Sequence, residues 1–270
     1  MIYLKNKGKS QSVKNFLKIK GLSKRTLTKL AKEFGVMQIN NTPVIMTDII
    51  LKNQTLCLNL RENKSQALIP YSNKIPKIIF EDENILIVDK TSNLPTIPSR
   101  NFDDSLASQV LNYLGNDCVF HALNRLDAHT TGLVIIAKDV ITENLLTKSG
   151  NVKKWYLAKV EGKTLRTGCI NAPIIDDKEQ CKRVISKNGL PAITYYKRIH
   201  YKNKCSLVRC HLIHGRTNQI RCHFSYINHP LINDFKYNKN CKDENAIFYL
   251  RCYKIQFKHP YTNKLIKIKI

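Results

Sequence analysis

Between Lys77 and Ile270 the sequence places short apolar runs one after another, with little room between most of them for a crossover helix. Ile78-Ile79-Phe80, the polar Glu81-Asp82-Glu83-Asn84 and Ile85-Leu86-Ile87-Val88 read as a hairpin. Further strands are expected at 131–138, 153–160, 192–200 and 205–213, and the last 20 residues alternate as a terminal strand pair. Only two helical patterns interrupt them. One carries Leu106, Val110, Leu111 and Leu114 on one face, with Asp103 or Asp104 as its cap and Gly115 beyond its end. The other runs from about Thr217 to Asn228 and turns Ile220, Phe224 and Ile227 inward. Strands this close in sequence exclude repeated βαβ units. They imply an α+β fold with a central mixed, largely antiparallel sheet and peripheral helices.

Residues 11–60 follow a different pattern, that of a small αα-β unit. Val13, Phe16 and Leu17 share one helical face. Ser23 caps a second helix with Leu27, Leu30 and Phe34 at helical spacing, ended by Gly35. Val36 to Asn40 reads as a strand, Asn41-Thr42-Pro43 as a turn, and Thr55 to Leu60 as another strand. The exposed helical positions are rich in cations, Lys24 and Arg25 among them. Residues 61–76, polar and punctuated by Pro70 and Pro76, read as a linker.

At 270 residues the chain suffices for one large domain and a small appendage, and a 43% apolar content supports a core. The balance of 45 Lys and Arg against 20 Asp and Glu gives a formal charge of +25. Such an excess attracts polyanions and makes binding salt-dependent. Drift toward Lys, Asn and Ile in an AT-rich genome is the competing account, but it would raise Asp and Glu more than is seen. Nucleic acid is the favoured partner. The nine cysteines form no Cys-x-x-Cys pair and sit inside apolar patterns, as reduced thiols of a cytoplasmic chain do. Cys210/His211/His214 and Cys222/His223 match no zinc spacing, so no metal is expected. The polar start lacks the apolar stretch of a signal peptide, and no run is long enough to cross a bilayer. A monomer is expected.

Three features carry potential chemistry. Asn124-Arg125-Leu126-Asp127-Ala128-His129-Thr130-Thr131-Gly132 sets a carboxylate, Asp127, at the entry to the apolar run Leu133 to Ala137. Lys154-Trp155-Tyr156-Leu157-Ala158 puts an aromatic hydroxyl among cations on a strand. In Leu212 to His223 a strand ends at Gly215 and a polar turn opens a helix, whose second turn holds Arg221 beside the apolar face. Taken singly, Asp127 reads equally well as a turn residue, Tyr156 as a strand aromatic, Arg221 as a solvated cation and Arg216 as a phosphate contact.

Together these motifs resemble the RluA-type pseudouridine synthases, including the ribosomal large-subunit enzymes of the RluC and RluD kind. Asn124-Arg125-Leu126-Asp127 with Thr130-Thr131-Gly132 is similar to the family's His-Arg-Leu-Asp-x-x-Thr-Ser-Gly. Gly215-Arg216-Thr217-Asn218-Gln219-Ile220-Arg221-Cys222-His223 is similar to Gly-Arg-Thr-His-Gln-Ile-Arg-x-His. Ile87-Val88-Asp89-Lys90 with Leu94-Pro95, and His229-Pro230-Leu231 with Asp234, match the flanking segments. The N-terminal pattern Leu22-Ser23-Lys24-Arg25, Leu30, Gly35 to Asn40 resembles the S-four-like RNA-binding domain, with Asn41 where a glycine is usual. The resemblance implies an RNA-binding domain over residues 1–66, a linker over 67–76 and a catalytic domain over 77–270.

It also implies isomerisation of uridine to pseudouridine in RNA, most of all large-subunit ribosomal RNA, with transfer RNA as an alternative and no cofactor. Asp127 would attack the sugar or remove a sugar proton, Arg221 would pair with it, and Tyr156 would pack on the uracil. Arg125 would fill the stack that the flipped uridine leaves. Arg216, Lys24 and Arg25 would contact RNA. Asn124 and Asn218 stand where the family has histidine, Thr131 where it has Ser, and Thr91 where it has Pro. If those histidines assist base eversion, the asparagines change efficiency or target preference, because they cannot carry a proton near neutral pH. A non-catalytic RNA-binding assembly factor and a base-releasing glycosylase are the competing classes.

Overall fold

The computed structural model describes residues 1–33, 35–59, 72–99, 102–115, 119–150, 152–243 and 247–270. Phe34, Leu60 and most of the expected linker lie outside them.

The N-terminal unit is built from β1 (Ile2–Lys5), β2 (Gln11–Ser12), α1 (Val13–Ile19), α2 (Lys24–Lys32), β3 (Met37–Ile39), β4 (Thr42–Pro43), β5 (Ile49–Ile50) and β6 (Thr55–Leu58). Ser12 and Ser23 cap the two helices by accepting from the amides of Asn15 and Thr26. Its sheet runs in the order β1-β6-β3-β4, and β2 pairs with β5. Strand β1 was not expected from the sequence. The turn expected at 41–43 sits instead at Asn40-Asn41, with φ of 50° and 65°, while Thr42 and Pro43 pair with Ile39 and Gln38. A two-residue hairpin loop needs left-handed backbone at both central positions, and asparagine tolerates it better than other non-glycine residues.

The remainder comprises β7 (Lys77–Glu81), β8 (Ile85–Lys90), α3 (Leu106–Leu114), β9 (His121–Ala122), β10 (Thr131–Ala137), α4 (Val140–Ser149), β11 (Lys153–Glu161), β12 (Thr167–Asn171), β13 (Ile174–Asp177), β14 (Lys182–Ile185), β15 (Ile193–Lys202), β16 (Cys205–Leu212), α5 (Gln219–Tyr226), β17 (Leu250–Lys258) and β18 (Leu265–Lys269). Ten of these strands form one sheet, in the order β12-β15-β16-β11-β17-β10-β8-β7, with β18 on β17 and β9 on β10. Its ladders are antiparallel except that of β10 with β17. The expected mixed, largely antiparallel α+β architecture is what the chain adopts. Gly132 makes the parallel contact possible. Its φ is 106°, and a Cβ there would collide with the Cys252 backbone, so only glycine fits. Strands β8 and β10 supply Ile85 to Val88 and Leu133 to Ala137, all fully buried, at the centre of the core.

Several local readings change. The cap of α3 is Ser105, accepting from the Ser108 amide, while Asp104 accepts from the Ser105 amide and from Gln109. Helix α5 starts at Gln219, so Arg221 lies in its first turn rather than its second. Helix α4 was not expected. It is capped by Asp139 and ended by Gly150 at φ 60°. Its Ile141, with Val140, Leu145 and Tyr261 beside it, joins the apolar core of the N-terminal unit, while Leu146 belongs to the main core. Among the described residues no helix is long and apolar enough to cross a membrane.

Candidate active site

The loop between β9 and β10 is tied down on both sides of Asp127. Leu126 donates its amide to Thr96 Oγ1 at 3.0 Å, and that hydroxyl donates back to the Leu126 carbonyl at 2.8 Å. On the other side the Lys90 ammonium donates to the carbonyls of Leu94, Ala128 and Thr91 at 2.6, 2.9 and 3.0 Å. Lys90 is only 1% exposed. Burial pushes its ammonium down to about 7, against the opposing pull of Asp127. Asn124 has a buried side chain that donates to the Leu133 carbonyl and accepts from the Ile135 amide, so it pins the loop to β10.

Asp127 is the part of this loop left partly open, with a side chain 26% exposed. Its Oδ2 accepts from Asn218 Nδ2 at 2.6 Å and from Arg221 Nη1 at 3.3 Å. The expected Arg221–Asp127 pair is therefore present, but it is the weaker of Arg221's two ion pairs. The guanidinium is gripped by Asp234, a fully buried carboxylate, through Nε and Nη2 at 2.7 Å each. Its Cζ lies over the Phe248 ring, 4.5 Å from the centroid, and over the Tyr237 ring, 4.9 Å from the centroid. Burial works against its charge, but the bonds and field of Asp234 outweigh that and hold the guanidinium above its ordinary value. Two fork positions are thus taken by Asp234, leaving Nη1 for Asp127. The same cation, with burial as the larger cause, lowers the pKa of the His129 imidazole and favours its neutral form.

Tyr156 stands on β11 opposite Cys252 of β17, next to a bulge in that ladder. It is nearly buried, and burial pushes its phenol well above the usual range, with Cys252 and then Asp127 adding to the effect. Asp127 and Tyr156 share a cleft of about 690 Å³. Among the described residues lining it, Asp127 is the single carboxylate, facing the four cations Arg125, Lys154, Arg183 and Arg216. Arg125 is exposed there, and Arg216 is anchored by its Nε to the Pro191 carbonyl at 3.1 Å. Lys24 and Arg25, by contrast, lie exposed in the first turn of α2 and do not line the cleft.

Reading the sequence missed the work of Lys90 and Asp234, although both lay inside quoted motifs, because residue type does not reveal a buried charge. It also missed Arg183, carried to the cleft by the β13–β14 hairpin and paired with Asp176 at 3.0 Å. The hairpin is tied back to the site, since the Arg183 amide donates to the Tyr237 hydroxyl, which donates to Asn218 Oδ1 at 3.4 Å.

The RNA pseudouridylate synthase family pattern matches residues 84–226. The uncharacterized RNA pseudouridine synthase YjbO of Bacillus subtilis is 30% identical over 264 residues, 94% of this chain and 92% of its own length. Ribosomal large subunit pseudouridine synthase D of Nitrosomonas europaea is 31% identical over 206 residues, 70% of this chain and 60% of that protein. The mitochondrial tRNA pseudouridine(32) synthase of Saccharomyces cerevisiae is 31% identical over 220 residues, 77% of this chain and 46% of that protein. Among solved structures, Human RNA Pseudouridylate Synthase Domain Containing 1 superposes with a TM-score of 0.62 at 20% identity, covering 75% of this chain and 86% of that one.

Proposed function

This chain belongs to the RNA pseudouridylate synthase family, and on that premise we propose that its cleft converts uridine to pseudouridine in large-subunit ribosomal RNA, with Asp127 engaging the ribose. The observation that carries the assignment of Asp127 is its position as the one carboxylate among the described residues that line the cleft, beside four cations. A polyanion is drawn to such a wall, and the lone carboxylate in it suits the sugar or base rather than the phosphates, which repel it.

The reaction needs the N1–C1′ bond to break, the uracil to turn, and a C5–C1′ bond to form, with the C5 proton lost and N1 protonated. Asp127 attacks the sugar or takes a sugar proton; either role needs its carboxylate aimed, and Asn218 and Arg221 Nη1 both hold Oδ2. Oδ1 is then the oxygen left to react. Tyr156 is a neutral phenol in this setting, so it serves as a flat wall for the uracil and as a hydrogen-bond donor rather than as a phenolate base. Arg125, free to enter a duplex from the exposed rim, replaces the flipped base in the stack. Arg183 and Arg216 take phosphates. The N-terminal unit, with Lys24 and Arg25 on its open helical face, serves as a second grip in the manner of an S-four-like domain.

Replacement of Asp127 by Asn keeps shape and hydrogen bonding while removing the anion. Tritium release from uridine-labelled RNA should fall to background, and full retained release would sink the role. A transfer-RNA substrate is the second reading, supported by the yeast relative's similarity. Mapping pseudouridines in ribosomal and transfer RNA from a strain lacking the protein separates the two.

A further inference from the structure

The face of the sheet opposite the cleft is open over half its width. Side chains alternate along a strand, so Trp155 and Leu157 point away from Tyr156 and the cleft. Directly paired residues share a face, and the registers line up Lys269, Lys254, Trp155, His211 and Tyr195 in one row across β18, β17, β11, β16 and β15. A second row holds Arg251, Leu157, Arg209 and Lys197. Among the described residues Trp155 and Leu157 join no apolar cluster, although the strand that carries them crosses the core. Tyr195 is 46% exposed, and Lys197, Arg209 and Lys269 are exposed as well.

The chemistry of this surface is specific. Trp155 and His211 stack at 5.1 Å with rings 24° apart, and Lys254 Nζ lies 4.4 Å from the Trp155 ring. Tyr195 continues the aromatic row on the next strand. No carboxylate stands in either row, although Arg251, at the end of the second, donates to Asp89 of β8 at 2.9 Å. An aromatic row flanked by cations, about 19 Å across at ~4.8 Å per strand, offers stacking to bases and charge to phosphates. An acidic protein would use the cations but would leave the aromatic row without a matching partner.

We propose that this open face is a second RNA-binding platform, taking an unpaired strand of RNA outside the target site. The proposal rests on RNA being the substrate. Bases stack on Tyr195 and, once Lys254 leaves the Trp155 ring it now covers, on the Trp155–His211 pair, while Arg209, Lys197 and the displaced Lys254 meet phosphates. Because the cleft lies on the other face, an RNA touching both must pass round a sheet edge. Long substrates gain from the platform and short stem-loops do not.

Trp155 is the only tryptophan in the chain, so its emission reports on this face alone. In the full-length protein, an oligouridylate of about 12 nucleotides should quench that emission saturably, with a midpoint that rises with salt. The double variant Arg209→Glu with Lys197→Glu exchanges one like-charged cross-strand pair for another, leaving the ladder's own repulsion as it was. It should raise the quenching midpoint at least about ten-fold, while pseudouridine formation in a short stem-loop stays within about twofold of wild type. Oligouridylate that binds by anisotropy without quenching Trp155, or an unchanged midpoint in the variant, overturns the proposal. So does polyglutamate that quenches as well as the oligonucleotide, which would make the face a site for acidic protein. The quenching titration reads independently of catalysis, so it stands even if the cleft forms no pseudouridine.

Discussion

Asp234 touches nothing in the cleft, yet the geometry makes it the residue on which Arg221 depends. Replacement by Asn preserves its volume and one acceptor. The new amide nitrogen, however, turns its hydrogens toward one of the two guanidinium nitrogens now held at 2.7 Å. One charge-assisted bond is lost, the other is weakened, and a cation with a side chain only 7% exposed keeps a single carboxylate at 3.3 Å. Removing one partner of a buried pair costs about 3–5 kcal/mol. For a unit of this size that corresponds to a fall in melting temperature of about 6–20 °C. With its fork released, Arg221 is drawn onto Asp127 and shifts the carboxylate from its aim, for which a loss of about 10²-fold in kcat is expected. KM for RNA should hardly move, because Asp234 is fully buried and contacts no substrate. Calorimetry and steady-state tritium release on Asp234→Asn test both numbers. A variant that melts within a degree of wild type, or one that raises KM with kcat intact, would refute the clamp.

Two further outcomes follow from the buried groups around the site. Lys90 has a folded pKa of about 7 against an ordinary value of 10.5. Between those values the unfolded chain holds a proton that the folded chain does not, so this group adds stability as pH rises, by up to about 1.4 kcal/mol per unit. Urea unfolding at pH 7 and pH 9 should show wild type gaining on Lys90→Met as pH rises, and a constant difference would mean that burial does not lower the Lys90 pKa. Gly132→Ala combines a left-handed φ with a collision against the Cys252 backbone. It should cost about 2–6 kcal/mol, read as a lowered melting temperature, and wild-type stability would mean that β10 and β17 do not cross there.

Eight of the ten strands of the main sheet were legible because each carries a continuous or alternating apolar run, whereas the short β9 and the mostly exposed β12 were not expected, and the Asp127 and Arg221 motifs were legible as ordered residue types. Helix α4 was not, because it serves two cores: Ile141 faces the N-terminal unit and Leu146 the main sheet. No single stripe results, so periodicity is silent. The β13–β14 hairpin is half-exposed along both strands, with no buried face to mark it apart from Ile174. The dominance of Asp234 over Asp127 as Arg221's partner is a tertiary fact, set by which carboxylate reaches the fork bidentately. Asn124, singled out by residue type alone, also has a structural task that the sequence did not announce, as a buried strut between loop and strand.

The apolar contact at Ile141 and Tyr261 has a consequence for target choice. It anchors the N-terminal unit to the catalytic body, and Asn144 reinforces the joint by donating to Thr26 Oγ1 at 3.1 Å. The span from Lys24 and Arg25 to Asp127 is therefore built into the protein like the jaws of a caliper set to one width. If Lys24 and Arg25 grip RNA as proposed, an RNA seated at both ends would offer Asp127 whichever uridine stands at that distance along its folded shape. Selection of the target would then be a measurement of length, and loosening the joint should blur which uridine is modified before it slows the chemistry.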